Sequence, residues 1–418
     1  MTTNDCLTER LVVIGASYAG FQVATSAREL GYGGAITIIG EELDAPYHRP
    51  PLSKGFLTGK TSEQALALRA PQFYVENRID LRPGVRAVRV DRGAKIVETS
   101  TGERLEYTQL VLVTGARPRT LAIPGHGLAG VMTLRSLDDA RRLRLALETA
   151  NSVAVIGGGF IGLEAASATA TLGKPVTVFE VQDRLLARAA SPLLAGFVEA
   201  LHRHHGVNIR TGAAVASLRG DAAGHVRAAV LGDGTSVPAD LVIVGIGVVP
   251  NIELAFEAGL VCDNGIVVDA CARTSDPAIL AAGDCTRHPS PFAAGLIRLE
   301  SVQNALDQAK TAAATLLGQH KPHDAPPWFW SDQFDVKLQM VGFSDRADQH
   351  VLRGRMDEQK FSLFHFKDGV LTGVESVNRA ADHMLARRLL AARAAITPEL
   401  AADADIDLAA WFKTASVA

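Results

Sequence analysis

Two short stretches have the residue types and spacing to hold the phosphates of a dinucleotide. VIGASYAGF (13–21) places Gly15, Ser17 and Gly20 after an aliphatic run, and VIGGGFIGL (155–163) places Gly157, Gly159 and Gly162 after another. A pyrophosphate needs a tight turn out of a strand, close backbone approach and a helix N-terminus aimed at its charge, and small residues at these positions allow all three. Glycine also ends strands for no functional reason, so one such turn says little and two in one chain say more. Serine at 17 departs from the generic fingerprint but is small too.

Each turn is followed, past a second strand, by a carboxylate: Glu41 in the first unit and Glu180 in the second. A carboxylate there accepts hydrogen bonds from ribose hydroxyls and repels a 2'-phosphate, so Glu180 favours NADH over NADPH if the second turn holds the nicotinamide cofactor. The neighbouring Arg184 reads either as a cation that weakens that preference or, more plainly, as a solvated surface residue. Phe160, inside the second turn, reads either as a gate over a flavin face or as ordinary packing.

Charged residues mark the other half of the chemistry. APYHRPPLSKGFL (45–57) is stiffened by prolines, and Arg49 and Lys54 place cations where a diphosphate and a flavin ring could lie; the plainer reading is a solvated basic loop. TSDPAILAAGDC (274–285) ends a strand at Asp284, which can bind the hydroxyls of a ribityl chain or simply cap a helix. LESVQNALDQAKTAAATLL (299–317) starts a helix within 301–304, around Val302. Its exposed N–H groups could face the pyrimidine edge of a flavin and stabilise the anionic reduced ring.

These residues need a scaffold, and the apolar pattern supplies one. Residues 11–14, 19–30 and 35–39 read as strand, helix and strand, and 152–156, 161–172 and 175–179 repeat that order, giving two βαβ units. Short strands at 110–114 and 241–245 end in TGARP and GIGVVPN, which read as crossings between domains. After His320 the proline-rich KPHDAPPWFW leads to alternating segments at 360–366 and 370–377 around the turn Lys367-Asp368-Gly369. A helix over 379–394 follows, with Met384, Leu385, Leu389 and Leu390 facing inward.

Composition excludes several classes. The 418 residues are 47% hydrophobic and 21% charged with a net charge of -3, which suits an ordered multidomain protein and gives no global pull towards nucleic acid or anionic membrane. No apolar run approaches the roughly 20 residues of a membrane span and no signal core is present, so a cytoplasmic location is expected. Cys6, Cys262, Cys271 and Cys285 are scattered and form no CxxC pair, which removes dithiol chemistry. HRHHG (202–206) puts His202 and His205 on one helix face, but no ligand cluster surrounds them, and no metal is expected.

GASYAG, YHRPPLSK, TGARP, GGGFIGLE, GIGVVPN, TSDPAILAAGD, ESVQNALDQA and PWFWSDQF, in this order, resemble the FAD-dependent ferredoxin reductases that serve bacterial cytochrome P450s and ring-hydroxylating dioxygenases. The resemblance spans nearly the whole chain. It implies an α/β fold with two Rossmann-like dinucleotide-binding domains of the glutathione-reductase type and a C-terminal α+β domain. The expected boundaries are 1–116 and 246–325 for FAD, 117–245 for NADH and 326–418 for the last domain.

The resemblance also implies that NADH gives a hydride to FAD and that electrons then pass singly to a [2Fe-2S] ferredoxin, from a monomeric protein. It places Lys54 near flavin N5, paired with Glu164 of GLE, and Glu300 on the nicotinamide side, where the alternative is a helix cap. For an acidic ferredoxin it points to Lys310, to Trp330 beside Trp328, and to Lys337 as an extension. Trp330 could instead pack over the flavin. The competing readings are an NADH oxidase, rubredoxin reductase or monodehydroascorbate reductase, and a flavin-binding signalling protein like apoptosis-inducing factor.

Overall fold

The computed structural model describes residues 9–415, which form two compact units; Cys6 lies outside the described residues. The first unit comprises residues up to 48, 63–117 and 249–327, and the second 49–62, 118–248 and the chain from 328.

In the first unit five parallel strands run in the order Ile279–Ala281, Gln109–Leu112, Arg10–Ile14, Ala35–Gly40 and Ile79–Pro83. Strands this aliphatic are those buried on both faces. On one face lie the helices Tyr18–Glu29 and Val302–Leu316, whose alanines (Ala19, Ala27, Ala305, Ala309, Ala312) let the two backbones approach closely. The other face packs against Val90, Val97 and Leu105 of the antiparallel strands Ala87–Asp91, Ile96–Thr99 and Arg104–Glu106. Arg10–Ile14 is central, with its neighbours reached in opposite directions, so its carboxyl end opens onto the crevice where such sheets take ligands.

The second unit repeats the plan. Its parallel strands run Asn208–Arg210, Val176–Phe179, Val153–Ile156, Leu241–Val244 and Val131–Thr133, with an antiparallel sheet of Val215–Gly220, Val226–Leu231 and Ser236–Pro238. The same unit holds a five-stranded antiparallel sheet ordered Trp328–Gln333, Val336–Gly342, Val370–Val377, Lys360–Lys367 and Gln349–Arg355, on which the helix Ala380–Ala392 packs.

WFWSDQ is an edge strand with a different neighbour on each face, as the two-residue period of a strand dictates. Phe329 and Ser331 face the helix Phe160–Thr171: Phe329 lies 4.8 Å from the Phe160 ring and Ser331 bonds Glu164. Trp328 turns to the other helix, 5.3 Å from His383 and under the Arg387 guanidinium at 4.6 Å.

Met384 corrects an expectation. It is 54% exposed, because the inward stripe of its helix runs through His383, Ala386, Leu389 and Leu390. Its neighbour Leu385 is buried as expected. Among the described residues no helix is long and apolar enough to cross a membrane.

Candidate nucleotide and electron-transfer site

In the first unit Gly15 has φ +125, and a Cβ there would stand 2.2 Å from the Val113 carbonyl oxygen. A Cβ on Gly20 would meet the Gly15 oxygen at 1.9 Å, so strand, turn and helix are held at backbone contact. Ser17 is the N-cap of Tyr18–Glu29 without a side-chain cap to that helix. Glu41 follows Ala35–Gly40, exposed and 3.9 Å from Arg86 Nε.

Asp284 is half-buried beyond Ile279–Ala281. Before it Gly283, at φ +83, donates its N–H to Gln308 Oε1 at 2.7 Å. Ser301 caps Val302–Leu316 by accepting from Asn304 N, which corrects the alternative of Glu300 as the cap: the Glu300 carboxylate instead pairs with Arg298 Nη1 at 2.5 Å. Val302 is half-buried on the first turn, and Asn304 Oδ1 is buried without a hydrogen-bond partner, an orphan of the kind a bound polar group satisfies.

The second turn follows the first. Gly157 has φ +110 and would clash with the Gly245 oxygen at 2.4 Å, and Gly162 with the Gly157 oxygen at 2.2 Å. Gly159 differs, since a Cβ there meets nothing within 4 Å. It is also the N-cap of Phe160–Thr171 and has no side chain to cap it, whereas Ser136 and Ser191 cap the other long helices of this parallel-sheet region. An uncapped helix start facing open space suits a pyrophosphate.

Glu180 accepts from Gly158 N at 2.7 Å and Gln182 N at 2.8 Å, so its carboxylate is pinned at the turn by the backbone. Arg184 is not a solvated surface residue: its guanidinium donates to the carbonyls of Ala187 and Ala190 and staples the following loop. Both glycine turns thus hold strand, turn and helix at backbone contact, an arrangement that fits the diphosphate of a dinucleotide such as FAD or NADH.

A buried polar cluster gathers around Glu164 in the second unit. Lys54 Nζ is 2.7 Å from Glu164 Oε2, with Glu164 2% exposed. Ser53 Oγ donates to the same oxygen at 2.5 Å, and Ser331 Oγ to Oε1 at 2.6 Å. Lys54 also donates to the Pro50 carbonyl at 3.2 Å, so the proline-stiffened loop aims the lysine. Arg49 donates to the Arg135 carbonyl at 3.0 Å.

Lys310 is half exposed and 3.5 Å from Asp307 Oδ1. Trp330 is half-buried beside Trp328, at 5.5 Å between rings, and Lys337 is exposed on the next strand. His202 is fully buried and bonds Gln333 Oε1 at 2.8 Å, while His205 lies over the Phe334 ring at 3.8 Å. Among the described residues no His, Cys, Asp or Glu cluster could hold a metal ion, and Cys262, Cys271 and Cys285 are free. Ser53, Ser331 and Gln333 escaped the sequence reading. Their signal was adjacency to Lys54 and the two-residue alternation of WFWSDQ.

Residues 9–312 match the pyridine nucleotide-disulphide oxidoreductase family, and residues 328–412 match the reductase C-terminal family. Rhodocoxin reductase of Rhodococcus erythropolis is 48% identical over 398 residues, covering 95% of this chain and 93% of that protein. The ferredoxin reductase for the CYP199A2 system from Rhodopseudomonas palustris matches with a TM-score of 0.94 at 42% identity, over 97% of this chain and 100% of that one. Putidaredoxin reductase, in its covalent complex with putidaredoxin, matches with a TM-score of 0.95 at 39% identity, over 99% and 100%. The chain belongs to the pyridine nucleotide-disulphide oxidoreductases, among those that carry a reductase C-terminal domain.

Proposed function

We propose that this protein is an FAD-dependent NADH:ferredoxin reductase that feeds a cytochrome P450 or a ring-hydroxylating dioxygenase. The reaction balances as one NADH and two oxidised [2Fe-2S] ferredoxins giving NAD+, a proton and two reduced ferredoxins. FAD, when bound, supplies the conversion of a two-electron hydride into two single electrons. The observation that carries the reading is the pair of glycine turns, each ending the central strand of its own parallel sheet, in a chain without a CxxC pair.

In this reading Gly15, Ser17, Gly20, Glu41, Arg49, Lys54, Asp284 and Val302 bind FAD. Gly157, Gly159, Phe160, Gly162 and Glu180 bind NADH, and the expected boundaries at 116/117, 245/246 and 325/326 separate the FAD, NADH and C-terminal domains. Lys54 and Glu164 orient the reacting rings and adjust charge as electrons arrive, and Glu300 acts on the nicotinamide side. Lys310 and Trp330 meet the ferredoxin, an acidic partner that would displace Asp307 from Lys310. A cytoplasmic location belongs to the same proposal.

The test is steady-state turnover. The purified yellow protein oxidises NADH rapidly with an added [2Fe-2S] ferredoxin and slowly with oxygen alone. Equal rates with and without ferredoxin would move the assignment to an oxidase.

A further inference from the structure

Glu164 is held by more than the lysine expected beside it. Behind it runs a line of buried hydrogen bonds, all oriented towards the carboxylate. His202 Nε2 pairs with Gln333 Oε1 at 2.8 Å, Gln333 Nε2 donates to Ser331 Oγ at 3.1 Å, and Ser331 Oγ donates to Glu164 Oε1 at 2.6 Å. Ser331, Gln333 and His202 are all fully buried.

The direction of each bond follows from what each group can donate. His202 Nδ1 is buried without a partner, so the proton of the neutral imidazole belongs on Nε2, and burial keeps that ring neutral by lowering its pKa to about 4. Nε2 therefore fixes the carbonyl end of the Gln333 amide, which turns the NH2 end towards Ser331. The hydroxyl, accepting there, gives its own proton to Glu164. An amide cannot pass a proton along, so the line is an electrostatic brace and not a proton wire.

We propose that Ser331 and Gln333, both on the C-terminal strand Trp328–Gln333, are positioning residues for hydride transfer: they fix the Glu164 carboxylate against Lys54. The C-terminal domain then contributes to the flavin-reducing half of the reaction as well as to ferredoxin docking. This inference rests on the reductase reading above. Phe329 on the same strand packs on Phe160, so one strand face supports both the gate candidate and the carboxylate on one helix.

The test uses holoenzyme with Ser331→Ala and, as a size-conserving second variant, Ser331→Cys, each in the native and the Glu164→Gln background. Retained flavin and an unchanged far-ultraviolet spectrum establish folding. The expected result is a limiting rate of flavin bleaching by NADH about tenfold lower in both variants, the worth of one charge-assisted hydrogen bond, with the NADH dissociation constant within about twofold. In the Glu164→Gln background the same replacements cost less than about twofold. The midpoint potential of the bound flavin, measured by dye equilibration without NADH, should rise in Glu164→Gln, which removes the negative charge facing Lys54, and should not rise in Ser331→Ala, which keeps that charge and removes a donor that disperses it. Equal losses in the two backgrounds, or no loss in the native one, would overturn the proposal. Failure of NADH to bleach the unmodified holoenzyme would instead overturn the reductase reading on which it rests.

Discussion

Lys54 Nζ stands 2.7 Å from Glu164 Oε2, and the two side chains are only 17% and 2% exposed. An ion pair this sheltered is poorly screened, and removing one partner leaves a charge the interior does not tolerate. Lys54→Met should therefore destabilise the protein by about 3 kcal/mol in denaturant titration, the lower end of the range for breaking a buried pair, because two hydroxyls still serve Glu164. Lys54→Met/Glu164→Leu should recover most of that stability without recovering the rate of flavin reduction. Recovery of both would reduce the pair to a structural element.

In the proposed reading Glu180 should separate binding of the two nicotinamide cofactors. Its carboxylate is held at the turn by Gly158 N and Gln182 N, so a ribose bound there would meet it with little freedom to swing away from a 2'-phosphate. Glu180→Ala should raise KM for NADH about tenfold, leave kcat within about twofold and narrow the preference over NADPH. Steady-state kinetics with both cofactors decide it, and an unchanged preference would remove Glu180 as selector.

The glycines of the second turn should part company on mutation. Gly157 combines φ +110 with a carbonyl oxygen 2.4 Å from any Cβ, so Gly157→Ala should cost at least about 2 kcal/mol of stability. Gly159, at φ -81 with open space beside it, should accept alanine with no measurable change in melting temperature. NADH affinity should nevertheless fall about tenfold in Gly159→Ala, because the new methyl occupies the approach of the phosphates. Calorimetry and NADH titration on both variants check the contrast.

Acid should destabilise the protein in a window set by buried imidazoles. Burial lowers the pKa of His202, His288 and His383 to about 4, below the 6.5 of the unfolded chain. The unfolded state then binds more protons, so stability is fully present above pH 6.5 and falls as pH drops from there towards 4. Both ring nitrogens of His383 are buried without partners, beside Trp328. His383→Phe should leave stability at pH 7.5 nearly unchanged and flatten the decline between pH 6.5 and 5, read from melting temperatures across that range.

Much of the fold was legible because it depends on local patterns. The aliphatic runs before Gly15 and Gly157 had no role except as buried parallel strands, and a glycine turn followed by a helix fixed what came next. The cluster around Glu164 was only half legible. Lys54 came with its proline-stiffened loop, but Ser331 and Gln333 lie far along the chain from Glu164, and serine and glutamine carry no spacing signal of their own. Met384 failed for a related reason: a helical stripe read without its partner sheet has no fixed phase, and a small error in phase exchanges an exposed methionine for a buried His383.

The most direct single measurement is anaerobic stopped-flow absorbance. The protein is mixed first with NADH or NADPH and then with an oxidised [2Fe-2S] ferredoxin. The account predicts fast bleaching of the flavin by NADH, much slower bleaching by NADPH, and rapid reoxidation with reduction of two ferredoxins per flavin. A flavin that NADH reduces but that passes no electrons to any of several ferredoxins would contradict it.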